Sequence, residues 1–136
     1  MSIGFYAFSN CSSLSSIIIP KGVTSIETYT FNNCSSLSSI IIPESVTSIG
    51  GYAFQGCYSL SSVTIPEGVT SIENNAFYNC SSVAEYHLKS TTPPTFQSTA
   101  LNGIPSDCII YVPRGSLSAY QSAQYWSNYA SKMREE

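Results

Sequence analysis

Nothing limits the fold of this chain more than a phrase it writes nearly three times. Residues 9–26 are SNCSSLSSIIIPKGVTSI, residues 32–49 are NNCSSLSSIIIPESVTSI, and residues 55–72 are QGCYSLSSVTIPEGVTSI. Set in 23-residue lines, the apolar positions fall into columns: Phe8, Phe31, Phe54, Phe77; Cys11, Cys34, Cys57, Cys80; Leu14, Leu37, Leu60, Val83. Ile17, Ile40, Val63 and Tyr86 form another, followed by Ile19, Ile42, Ile65 and Leu88. Pro20, Pro43 and Pro66 come next, and Val23, Val46 and Val69 close each line. A period of this length marks a repeated supersecondary unit. One unit cannot bury its apolar side alone, so stacked units must share a continuous core. At the inter-strand spacing of about 4.8 Å, four coils span roughly 20 Å.

Within a line, L-x-x-I-x-I has the period-two alternation of a strand and the spacing of a leucine-rich repeat strand segment. The proline after it has no N–H to give, which suits a strand end and the start of a turn. Val23 and Ile26 turn inward along a second extended stretch. YAFSNC sets Phe8 and Cys11 three apart, the spacing of one helical or 3₁₀ turn.

The wording LSSIIIPESVTSIGGYAFQGCYSL resembles the BspA-like leucine-rich repeat family of bacterial surface proteins. The match covers residues 1–88 through the I-x-I-P, V-T-S-I-G and A-F-x-x-C elements. TTPPTF, IIYVP and the Tyr- and Trp-containing segment beyond resemble that family's terminal cap. The resemblance implies an α/β repeat, a right-handed solenoid of 23-residue coils with a C-terminal strand-plus-helix cap. It also implies a place on the cell surface or in secretion, with adhesion to host proteins or other cells among relatives. A fold does not choose among such partners.

The expected division is four repeats over 1–92 and a capping region over 93–136, with Pro93–Pro94 at the handover. CIIYVP (108–113) predicts a closing strand with Ile110 and Val112 inward. Ser116 predicts the cap of a helix from about Leu117. Trp126 and the nearby tyrosines are expected over the last coil, and residues 132–136 are expected to fray. At the other end Met1 falls in the column of Thr24, Thr47 and Thr70, a mid-coil start. This predicts a fragment of a longer array, with Phe8, Leu14 and Ile17 open at the first coil and self-association through it.

Composition removes several function classes. Serine makes up about a fifth of the 136 residues and charged residues only 10%, but regularly spaced apolar residues argue against disorder. The net charge is −3 and the five basic residues are scattered, where a phosphate backbone demands concentrated positive field. A nucleic-acid partner is not expected. No apolar run nears the ~20 residues of a membrane span.

Four cysteines in register invite a metal or disulfide reading. Metal ligands must converge on a point, whereas a ladder spreads them along a line. Neighbouring coils could be bridged, but the odd total, with Cys108 fifth, suits buried free thiols better. Asn10, Asn33 and Asn79 each begin an N-C-S glycosylation pattern. With the middle Cys in the core, they are expected instead to bridge turns through side-chain-to-backbone hydrogen bonds. His87 is the single histidine, so any Ser–His or Cys–His pair must use it. There is no HExxH, no phosphate-cradling glycine loop and no placed carboxylate pair, so neither an enzyme nor a cofactor is expected.

The positions between the inward ones face out. They run Ile18, Ile41, Thr64, His87, with Tyr111 next by strand alignment, flanked by Ser16, Ser39, Ser62 and Glu85. Exposed isoleucines side by side suggest a contact patch, and Tyr is a frequent interface residue. β-branched residues at such positions also serve strand propensity alone. The candidate binding residues are therefore Ile18, Ile41, Thr64, Glu85, His87 and Tyr111. The expected function is a non-enzymatic binding or adhesion module for a protein or glycan, such as a host surface or matrix protein. A structural spacer and an intracellular scaffold are the alternatives.

Overall fold

The structure, a computed structural model, describes residues 2–136. Met1, placed by the columns beside Thr24, lies outside them. In chain order the strands are β1 (Ser2–Ile3), β2 (Ser25–Ile26), β3 (Ser48–Ile49), β4 (Ser62–Ile65), β5 (Ser71–Ile72), β6 (Glu85–Leu88), β7 (Thr95–Phe96), β8 (Ile109–Val112) and β9 (Met133–Glu135). They form two parallel sheets, one ordered β1-β2-β3-β5-β7 and the other β4-β6-β8-β9. An isolated parallel bridge, Ile18 to Ile41, precedes the second sheet. The V-T-S-I stretch thus builds one wall of the solenoid and L-x-x-I-x-I the other.

Register follows the sequence period, with one exception. Ser25 pairs with Ser48 and Ser48 with Ser71, steps of 23. Ser71 then pairs with Thr95, and Glu85 with Ile109, steps of 24. Both steps span the stretch between Leu88 and Phe96, so the extra residue lies there, where Lys-Ser-Thr-Thr-Pro-Pro replaces the regular P-E-G-V-T. The next step, Ile110 to Met133, is again 23.

The third side of each coil is a run of turns. Phe8 and Cys11 are joined by the three-residue hydrogen bond expected, Cys11 N–H to Phe8 O at 3.2 Å. No helix forms, because Tyr6 and Asn10 have φ of 60° and 61°. That left-handed geometry recurs at Tyr29, Asn33, Tyr52, Asn75 and Asn79. It aims alternate N–H groups at the next coil: Tyr29, Phe31 and Asn33 donate to Gly51, Ala53 and Gln55 at 2.9, 2.8 and 2.7 Å. Of the asparagines, Asn33 and Asn10 do link two coils, but Asn33 Nδ2 donates to the Asn10 side chain at 3.1 Å rather than to a backbone carbonyl. The backbone itself already takes up the groups those side chains were expected to serve.

Between the walls lies one apolar column per sequence column. Phe8, Phe31, Phe54 and Phe77 stack at 5.4, 5.3 and 5.1 Å between ring centroids, and Tyr86 closes the row edge-on to Phe77. Offset aromatic pairs gain about 0.5–1.5 kcal/mol beyond the burial itself. Burial dominates, since each fully buried Leu, Ile or Phe contributes about 1.5–3 kcal/mol. In the first coil Phe8, Leu14 and Ile17 are only half-buried, while their counterparts Phe31, Leu37 and Ile40 are buried.

The helix of the cap, α1, covers Leu117–Ser122. Ser116 takes the cap position without a side-chain capping bond, and its backbone there is helical (φ −104°, ψ 0°) rather than the extended one a capping side chain uses. Ala123 is extended, Tyr125 has φ of 65°, and a 3₁₀ segment runs Trp126–Lys132. Trp126 stacks on Phe96 at 3.8 Å and its indole N–H donates to Pro94 O at 2.9 Å. Tyr120 meets it edge-on and donates its hydroxyl to Ser90 O. The chain then returns to the sheet. Residues 132–136 were expected to fray, but Met133 is buried and β9 pairs with β8. The physical reason is register: a full 23-residue step after Ile110 delivers Met133 onto it.

Candidate functional site: the outward strand face

The six residues singled out from sequence all lie along the L-x-x-I-x-I wall. Ile18 and Ile41 are joined by the isolated bridge and are 90% and 79% exposed. Ile17 and Ile19, their inward neighbours, rest on the core. Further along, Thr64 pairs with His87, His87 with Tyr111, and Tyr111 with Arg134, one unbroken line across β4, β6, β8 and β9. Glu85 occupies the parallel line between Ser62 and Ile109. Hydrogen-bonded strand pairing joins Thr64 to Tyr111, while the isoleucine pair forms a separate patch ahead of β4. Ile18, Ile41, Pro20, Pro43, Lys21 and Glu44 line a shallow groove there.

The two ends of the face differ in chemistry. The isoleucine end is apolar with one charge of each sign at its rim. At the other end His87 sits between two carboxylates. Its Nδ1 lies 2.5 Å from Glu136 Oε1 and its Nε2 lies 3.2 Å from Glu85 Oε2. Its ring stacks on Tyr111, centroids 4.9 Å apart and planes 12° from parallel. Lys89 donates to the other Glu136 oxygen at 3.2 Å. Burial raises the Glu136 carboxyl, but hydrogen bonds from His87 and Lys89 outweigh it and hold the group below the usual carboxylate range.

Arg134 and Glu136 escaped the sequence reading because they lie in the segment expected to fray. The available signal was the distance of 23 from Ile110 to Met133, read against the columns. Both imidazole nitrogens face carboxylates, Glu136 and Glu85. Among the described residues no cluster of three or more His, Cys, Asp or Glu could hold a metal ion.

The cysteine column is core. All five thiols are free and all but Cys11 are buried. Cys34, Cys57 and Cys80 donate to the carbonyls of Phe8, Phe31 and Phe54 in the preceding coil, at 3.1, 3.3 and 3.1 Å. Burial pushes the Cys57 thiol far above its usual range and the Cys80 thiol up to about 12. Burial likewise raises Cys108, to about 11, against the opposing charge of Lys132. Thiolate is the reactive form, and these groups are held away from it.

The model of the BspA-type leucine-rich repeat region matches residues 1–118 in six copies. The chain belongs to the BspA-type leucine-rich repeat family. Solved structures agree on the fold. A leucine-rich repeat protein of T. pallidum superposes with a TM-score of 0.73 at 21% identity, over 96% of this chain and 59% of that one. A leucine-rich repeat protein from Bacteroides ovatus gives 0.50 at 26% identity, over 82% of this chain and 42% of that one. A leucine-rich cell surface protein from Faecalibacterium prausnitzii gives 0.58 at 24%, over 78% and 34%. This BspA-type chain therefore spans less than two thirds of the length of each. No curated protein sequence matches it. No helix among its described residues is long and apolar enough to cross a membrane.

Proposed function

We propose that the chain is a non-catalytic binding module of a cell-surface or secreted bacterial protein, engaging a protein or glycan through its outward strand face. The observation that carries this reading is the Ile18–Ile41 pair. Two isoleucines that exposed, set side by side at the mouth of a groove, leave apolar surface in water that a partner would cover. Solenoids commonly offer such extended faces for binding. The family and the surface setting named for the F. prausnitzii relative support it. Thr64, Glu85, His87 and Tyr111 extend the face toward a polar, aromatic end, where register and contact chemistry could be specified. The uniform exposed serines Ser16, Ser39 and Ser62 favour a second reading, a spacer holding other domains away from the surface.

The test is adhesion of beads coated with this chain to surfaces of fibronectin, collagen or mucin glycans. The variants are Ile18→Ser with Ile41→Ser, and Tyr111→Ser alone. Adhesion lost by the first variant at an unchanged thermal midpoint supports the apolar patch as contact. Equal adhesion in wild type and both variants removes the strand face from the mechanism and leaves the spacer.

A further inference from the structure

Each of the first three coils carries a tyrosine at the start of its turn run, and the three rings lie on one another. Tyr6 and Tyr29 have centroids 4.8 Å apart with planes 5° from parallel. Tyr29 and Tyr52 are 4.6 Å apart at 6°. All three backbones are left-handed, with φ of 60°, 62° and 60°. That region costs an L-residue about 1–2 kcal/mol, and tyrosine has no short polar side chain to ease it. The fourth coil has Asn75 at this place, a residue that tolerates the geometry far better. The stack is therefore retained against a local backbone preference. It is also reachable: Tyr6 is 58% exposed, and Tyr29 and Tyr52 are half-buried.

We propose that the Tyr6–Tyr29–Tyr52 column is a site of oxidative coupling, where one-electron oxidation joins consecutive coils through a dityrosine bond. The oxidant class is the oxidised haem of a peroxidase turning over hydrogen peroxide. Two neighbouring phenols each give up one electron and the hydroxyl proton, leaving two phenoxyl radicals. These join by a carbon–carbon bond between the ring carbons ortho to the oxygens. Each coupled carbon then releases its hydrogen as a proton while its oxygen regains one, restoring both aromatic phenols. Two electrons and two protons leave in all, and they reduce one hydrogen peroxide to two waters.

Selectivity comes from placement rather than exposure. The chain has ten tyrosines, but among the described residues only these three stack on another tyrosine. Tyr58 is 49% exposed and Tyr125 36%, so both are open to oxidant with no tyrosine ring to join. Holding two reactants in contact replaces an encounter between molecules with a step inside one. Four of the five competing thiols are shielded, since Cys34, Cys57, Cys80 and Cys108 are buried and kept protonated; the half-buried Cys11 is removed from competition by Cys11→Ser in the chain tested. The bond closes a loop from Tyr6 to Tyr29 or from Tyr29 to Tyr52 and staples adjacent coils covalently.

The experiment treats the purified Cys11→Ser chain with horseradish peroxidase and limiting hydrogen peroxide. It reads dityrosine fluorescence, the mass of cross-linked peptides and the size of the product. The expected product is a monomer lighter by two hydrogens, with the link mapped to Tyr6–Tyr29 or Tyr29–Tyr52. Tyr29→Phe keeps the ring and breaks both pairs, so the intramolecular yield falls by about tenfold. Tyr6→Phe and Tyr52→Phe each leave one pair and retain part of the yield. Unfolding the chain with all three tyrosines in urea before oxidation removes the preference for these pairs. Three results overturn the proposal: links only between molecules, links mapped to Tyr58 or Tyr125, or an undiminished yield in Tyr29→Phe.

Discussion

The phenylalanine row offers the sharpest test of how this solenoid holds together. Phe54 is fully buried and lies between two rings, Phe31 at 5.3 Å and Phe77 at 5.1 Å. Phe8 is half-buried and touches one, Phe31 at 5.4 Å. Replacing a fully buried Phe by Ala costs about 3–5 kcal/mol through lost transfer energy and the cavity left behind. The lost stacking, about 0.5–1.5 kcal/mol per pair, is already part of that total. Phe8→Ala loses roughly half as much burial and one stacking contact where Phe54→Ala loses two, so about 2 kcal/mol is expected. Urea unfolding followed by circular dichroism measures both. With an m-value of about 2 kcal/mol/M, the midpoint falls by about 2 M for Phe54→Ala and about 1 M for Phe8→Ala. The central variant should also broaden the transition. Coils interact mainly with their neighbours, and the change weakens the interfaces on both sides at once. Equal midpoint shifts for the two variants would refute the reasoning, as would a Phe54→Ala cost below about 1.5 kcal/mol.

Other consequences can be measured on the same chain. With a thiol reagent under native conditions, Cys11 should be modified ahead of Cys34, Cys57, Cys80 and Cys108, whose burial withholds the thiolate; rapid modification of Cys57 in folded protein would contradict the packing. Gly56 has φ of +71°, and a Cβ there would meet Asn33 Oδ1 at 2.3 Å. Gly56→Ala should therefore destabilise by about 1–2 kcal/mol. Adding Asn33→Ala should recover only part of this, because it removes the clash and leaves the backbone cost, as a double-mutant cycle would report. Glu136 is held below the ordinary glutamate value of 4.5, so its help to β9 is complete above that value and fades as pH falls through the lowered one. Hydrogen-exchange protection of Met133–Glu135 should fall on acidification below about pH 4.5 in wild type. In Glu136→Gln it should be low already at neutral pH; protection identical in the two proteins at neutral pH would deny the carboxylate that role.

What could be read in advance follows from what the repetition constrains. Leu37, Ile40, Ile42, Val46 and Ile49 must match the coil on either side, so their columns survive in the sequence and both walls could be anticipated from them. The turn run obeys a different constraint, a backbone sign that side-chain identity reports weakly. Asn33 and Gly56 share a column because both accept positive φ, and that substitution pattern was visible in the letters. Tyr29 argues against it on propensity and is explained only by the rings above and below, a contact that exists after folding. β9 was hidden for a third reason. Three residues in a charged tail carry no alternation of their own, and the 23-residue step from Ile110 to Met133 tells only once α1 and the 3₁₀ segment are known to consume one period of chain. The outward face divides along the same line. Ile18 and Ile41 could be placed from alternation alone, because facing out is a property of one strand. The Glu136 contact to His87 could not, because Glu136 follows β9, which lies two strands from β6 in the sheet. Chemistry assembled across coils is invisible to a reading made one coil at a time.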